Sequence, residues 1–112
     1  MKTIIEINDI NSTLREYFGA KAKIWAFNVT HKKLFLQLHH PNKEEIIYLV
    51  AIGCEQITGP FSWKSAKIHI EEDKRQSSEI DSLIIDEDAE FRLITSGGVI
   101  IAFDLENGDA DA

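Results

Sequence analysis

The sequence predicts an α+β domain in which one short N-terminal helix packs on a curved, mainly antiparallel sheet or half-open barrel of six to seven strands. Three observations carry the prediction. Apolar residues take helical spacing once, before Gly19; from Lys23 onward their period is two; and turn residues interrupt that second pattern at short intervals. A helix followed by a run of strands belongs to the α+β class, because the sheet is the surface on which the helix can bury its apolar stripe.

The elements follow in order. Thr3 to Ile7 is a short apolar stretch suited to an edge strand. Asn8 or Asp9 offers an N-cap, and Ile10, Leu14, Tyr17 and Phe18 then fall at the i, i+4, i+7 and i+8 positions of one helical face. Gly19 stands where a left-handed cap ends a helix. From Ile24 to Val29, the residues Trp25, Phe27 and Val29 share one face of a strand. After a tight connection at Thr30 to Lys33, Leu34, Leu36 and Leu38 share a face of the next. Pro41-Asn42 supplies turn chemistry. Glu45 to Ala51 is apolar on both faces, the composition of a central strand covered on both sides. Gly53 to Lys64 is expected to be irregular, with Gly59-Pro60 at its centre.

Ala66, Ile68 and Ile70 then alternate with Lys67, His69 and Glu71 in the clearest strand pattern of the chain. Glu72 to Glu79 is a polar loop, and Ser82 to Ile85 a short strand. Phe91 to Thr95 and Val99 to Phe103 flank Ser96-Gly97-Gly98, a hairpin signal because glycine accepts positive φ. The strands are expected to follow one another as a meander.

At 112 residues the chain fits a single domain, 1–105, followed by an acidic tail, 106–112, that lacks apolar periodicity and should fray. A hydrophobic share of 44% excludes a disordered chain. Cys54 is the single cysteine, which excludes an intrachain disulfide. No signal-peptide apolar region opens the sequence, and the longest apolar run, Ile46 to Ile52, is far too short to span a membrane. The expected location is the cytoplasm, with no membrane partner.

The net charge of −7 is divided unevenly. Residues 1–69 hold nine Lys/Arg against six Asp/Glu, a balance of +3; residues 70–112 hold three against thirteen, a balance of −10. Nucleic-acid binding works by cations that displace counterions from phosphates, so no nucleic acid is expected as a partner. An acidic half suits the steering of a basic protein.

Candidate chemistry is sparse. Asp86-Glu87-Asp88-Ala89-Glu90 places carboxylates at alternate positions, but the calcium-loop pattern then requires glycine sixth and glutamate twelfth, where this chain has Phe91 and Gly97. The stretch reads as a solvated turn. His31, His39, His40 and His69 have no zinc-ligand spacing, so neither a metal nor another cofactor is expected. Cys54, next to an apolar strand and without a nucleophile signature, reads as a small buried hydrophobe. No serine elbow, phosphate loop or dinucleotide fingerprint occurs, and catalysis is not expected. In Gly59-Pro60-Phe61-Ser62-Trp63, two large aromatics sit in a connection, where they serve either as binding anchors or as a cap on one end of the sheet.

In size, acidity and lack of catalytic signature the chain is similar to the small single-domain immunity proteins that bacteria make against toxic effectors. That likeness is one of composition and carries no residue across.

Three functional expectations result. The first is a non-catalytic protein-binding module that meets a basic partner, such as a nuclease whose phosphate cleft its carboxylates imitate. Glu71, Glu72, Asp73, Asp86, Glu87 and Asp88 would supply the charge, with Phe61 and Trp63 as anchors. The second is a small-ligand or small-enzyme pocket lined by His39, His69, Tyr48 and Trp63. The third is a structural subunit of a homodimer, in which a second copy covers the two-sided strand Glu45 to Ala51.

Overall fold

The computed structural model describes residues 3–74 and 80–103. Helix α1 (Ile7–Glu16) lies between a two-residue strand β1 (Thr3–Ile4) and the strands β2 (Ala20–Asn28), β3 (Lys33–His39), β4 (Ile47–Ile52), β5 (Cys54–Thr58), β6 (Ser62–Ala66), β7 (His69–Lys74), β8 (Ile80–Asp86), β9 (Phe91–Thr95) and β10 (Val99–Phe103). They form two antiparallel sheets. The larger has the order β1-β10-β4-β3-β2-β6, the smaller β5-β9-β8-β7. Neither sheet closes on itself. The fold is α+β: one short helix and mostly antiparallel strands. The expected tail, 106–112, and the loop 75–79 lie outside the described residues.

One core joins the two sheets. Leu36, Leu49 and Ile101 of the large sheet meet Ile84, Phe91 and Leu93 of the small one, and α1 adds Ile10, Leu14 and the neighbouring Tyr17. These positions follow the period of two that the sequence displays in Leu34, Leu36 and Leu38. On the outward face of the large sheet Phe35, Val50 and Ala102 form a second, smaller cluster, flanked by Ala26, Ile52 and Ile100. β4 is therefore apolar on both faces because it is central, paired with β10 and β3. The cover over Phe35 and Val50 is reached within one chain.

The helix also protects an edge. β7 is the last strand of the small sheet, and an unpaired strand edge leaves backbone groups without partners. The Asn11 side chain fills that role at Ile70: its Nδ2 donates to the Ile70 carbonyl at 3.0 Å, and its Oδ1 accepts the Ile70 N–H at 2.8 Å.

The structure departs from the sequence expectations in six places. The helix begins at Ile7, with Glu6 rather than Asn8 or Asp9 at the N-cap, because Ile7 packs against the core. It ends at Glu16, which leaves Phe18 beyond the buried face and exposed. Gly19 does take positive φ (98°), but its N–H bonds the Ala66 carbonyl at 2.8 Å rather than a carbonyl of the helix. The segment Gly53 to Lys64, expected to be irregular, contains β5 and most of β6.

The strand expected over Ala66 to Glu71 is divided between two sheets. The chain crosses from large to small sheet at Lys67-Ile68, so Ala66, Ile68 and Ile70 are all buried although they belong to no single strand. Nor is the order a simple meander. β2-β3-β4 and β7-β8-β9 are meanders, whereas β10 returns to β4 and β5 lies beside β9.

Candidate functional site

The residues singled out from the sequence divide into a group that comes together and a group that does not. The first assembles where β8 ends. Strand period puts Asp86 on the same inward face as Ile84, and its side chain is 1% exposed. A buried carboxylate needs donors, and three N–H groups converge on this one. The Trp63 indole Nε1–H donates to Oδ2 at 2.7 Å, the Lys67 N–H to Oδ2 at 2.9 Å, and the Ala89 N–H to Oδ1 at 3.4 Å. Trp63 itself points inward from β6, with its ring 4.5 Å from that of Phe91. Asp86 and Trp63 are thus internal braces. The expectation that Asp86 is part of a solvated acidic turn is corrected: the turn begins one residue later, at Glu87.

Glu87 and Asp88 do stand out in solvent. The turn closes through the Glu90 N–H to the Glu87 carbonyl at 3.1 Å, with Glu90 at φ 55°. Against it lies the corner between β5 and β6. Gly59 adopts φ 130°, and a Cβ there would come within 2.8 Å of the Phe91 Cα and 3.0 Å of the Glu90 carbonyl oxygen. Only glycine permits so close an approach at that φ. The corner is therefore pressed onto the acidic turn, and Phe61, two residues further on, is 80% exposed. Its own backbone is held, since its carbonyl accepts the Ile24 N–H at 2.8 Å. The two aromatics of Gly59-Pro60-Phe61-Ser62-Trp63 consequently take different roles: Trp63 caps the core, and Phe61 projects.

Glu71 and Glu72 are exposed on β7, and for Asp73 only the backbone, opposite Asp81, is described. A lysine and a histidine lie among these carboxylates. Lys67 Nζ is 4.0 Å from Asp88 Oδ2, and His69 Nε2 is 2.9 Å from Glu71 Oε2. Lys67, His69, Phe18, Asp86, Glu87 and Asp88 line a shallow hollow of about 250 Å³. An exposed pair such as Lys67–Asp88 contributes little to stability but lowers the negative potential locally.

The pocket expected from His39, His69, Tyr48 and Trp63 does not form. His39 and Tyr48 lie on the outward face of the large sheet, where the Gln37 amide donates to the Tyr48 hydroxyl at 3.1 Å and Trp25 packs edge-on at 5.9 Å. His69 is on the outward face of the small sheet, across the core, and Trp63 is inside. Alternation explains the separation: each histidine neighbours a core residue, Leu38 or Ile70, and so points the opposite way. Among the described residues no three His, Cys, Asp or Glu side chains come close enough to hold a metal ion. No helix among them is long and apolar enough to cross a membrane.

Beside Phe61 the sandwich is open. Ile24, Phe27, Leu34, Cys54, Ile57 and Phe61 line a groove of about 310 Å³ between β2, the start of β3 and β5. Cys54 is half-buried, and its thiol is pushed up from the ordinary value of 9.0 by burial and then by the neighbouring Glu55, against a lowering contribution from the Gln56 backbone N–H. Sequence reasoning puts Phe27 on one face with Trp25, whereas the bulge between Ile24 and Ala26 turns Phe27 to the opposite face beside Leu34, and it does not mark Ile57 or Glu55. β5 has a single large apolar residue and a bulge at Glu55, so no alternation marks it.

The geometry defines a small two-sheet α+β domain in which an aromatic projects from a corner that packs, at Gly59, against the end of an acidic turn. No known protein family, curated protein or solved structure matches the chain.

Proposed function

We propose that the protein is a non-catalytic protein-binding module that meets a basic partner through Phe61 and the acidic turn whose end packs against the same corner. The observation that carries this reading is the 80% exposure of Phe61 on a corner whose backbone is fixed at Gly59 and at the Ile24–Phe61 hydrogen bond. A large aromatic held out on rigid backbone costs little entropy to bind, and anchors of this kind supply most of the affinity of protein interfaces. Glu87, Asp88 and Glu90 are exposed in the turn whose end packs against Gly59 of the same corner, so a surface matching both features presents an apolar pocket with Lys and Arg near it. A basic effector, of the kind that immunity proteins neutralise, has that chemistry.

The test is affinity capture from lysate of the source cell at low and high salt, with wild type, Phe61→Ser, and Glu87→Lys combined with Asp88→Lys. The expected result is one stoichiometric basic protein, retained by wild type at low salt and lost with either variant. Equal retention by all three overturns the proposal.

A further inference from the structure

We infer that the groove beside Phe61 receives an apolar side chain borne on a Lys- or Arg-containing segment of the same basic partner. The inference rests on the binding-module reading and adds a second, reciprocal contact to it. Phe61 enters the partner, and the partner enters the groove.

Three observations select this occupant. The groove is apolar where it is deep: Leu34 belongs to the core, Ile24 is half-buried against it, and Phe27 (47% exposed) and Ile57 (39%) form the jaws. Large apolar side chains exposed together around one hollow mark an interaction site more than scattered ones do. Its volume, about 310 Å³, is at the lower limit of pockets that take whole ligands (about 300–1,000 Å³). It suits one phenyl or branched aliphatic group rather than a cofactor.

The third observation is charge. Among the described residues that line the groove Glu55 is the one that is charged, and the Ser96 hydroxyl orients it by donating to Oε1 at 3.2 Å. The same carboxylate adds to the rise of the Cys54 thiol, so its negative potential reaches the groove interior. An apolar group with a cation next to it satisfies floor and rim together. An apolar group attached to an anion would meet repulsion from Glu55.

The test uses two fragments of equal shape and opposite charge, 2-phenylethylammonium and phenylacetate, titrated into the full chain while the methyl signals of Ile24, Leu34 and Ile57 are followed by NMR. Fragments of this size bind weakly, so the readout is the shift rather than a tight complex. The expected result is saturable shifts confined to those methyls, with the ammonium bound about two- to fivefold more tightly than the carboxylate, the size of a rim ion pair. In Glu55→Gln, an exposed position, the preference should vanish while binding persists. No saturable shift with either fragment, equal affinity for both in the wild type, or shifts centred elsewhere overturns the inference. Capture that depends on Phe61, together with an empty groove, removes this inference and leaves the binding module. A cation-selective groove with Phe61-independent capture does the reverse.

Discussion

Asp86 offers the sharpest test of the structural reasoning, because its surroundings fix the expected energies of two different substitutions. The Trp63 indole and the Lys67 amide both donate to Oδ2, and only the longer Ala89 contact goes to Oδ1. Asp86→Ala removes the acceptor for all three donors. Hydrogen bonds to a charged group contribute about 1.5–3 kcal/mol each. Because Trp63 is half-buried, its donor can recover some hydration, and relief of carboxylate desolvation offsets part of the rest. The expected loss is about 3 kcal/mol, or about 12 °C in Tm for a domain of this size.

Asp86→Asn can place its carbonyl oxygen where Oδ2 was, keeping both short bonds, with its NH₂ group facing the Ala89 N–H. That substitution should cost about 1 kcal/mol. Urea unfolding followed by tryptophan fluorescence measures both, and the environment of Trp63 is itself a signal. A loss below about 1 kcal/mol for Asp86→Ala would refute the view that this carboxylate is a brace. A loss for Asn equal to that for Ala would show that the charge matters rather than the position of the acceptor.

Gly59→Ala should destabilise by about 2 kcal/mol or more, since φ 130° and the 2.8 Å approach to the Phe91 Cα both oppose a Cβ; an unchanged urea midpoint would mean the corner moves freely. Phe61→Ser should alter stability by no more than about 0.5 kcal/mol, as the ring projects into solvent, so its effect on capture reads contact rather than folding. The raised Cys54 thiol gives a pH dependence whose sign is determined. The unfolded chain releases this proton first, so the contribution is constant below the ordinary value of 9.0 and stability falls as pH rises from there through the folded value. Comparing urea midpoints of wild type and Cys54→Ser across that window isolates the effect, and identical slopes would contradict it.

The parts of the fold legible in the sequence are those where one physical pattern dominates. Leu34, Leu36 and Leu38 alternate because one face of β3 is core, and Ser96-Gly97-Gly98 turns because glycine accepts the required φ. β5 and β6 are illegible for the converse reason: most of their side chains are exposed, so burial imposes no pattern. Ala66 to Glu71 shows the limit of periodicity. Alternation reports which residues face the core, and it continues unbroken while the chain passes from one sheet to the other. At the site, Phe61 and the acidic turn are visible as separate features, but the packing of the Phe61 corner, at Gly59, onto the end of that turn is a long-range contact that no local pattern records. The internal position of Asp86 had one available sign, two residues beyond Ile84 on the same strand face. That sign was outweighed by the charges that follow it.

The place of β10 has a consequence for how the chain is made. It is the last strand of the described sequence, yet it lies between β1 and β4, the two strands it joins into one sheet. During synthesis β4 must wait through five further strands before that partner exists. Over this interval one of its ladders is open and both of its faces are apolar, the form of edge that pairs with foreign chains. Such distant pairing also slows folding. The vulnerable period of this protein's life on the ribosome therefore ends only when Val99–Phe103 emerges.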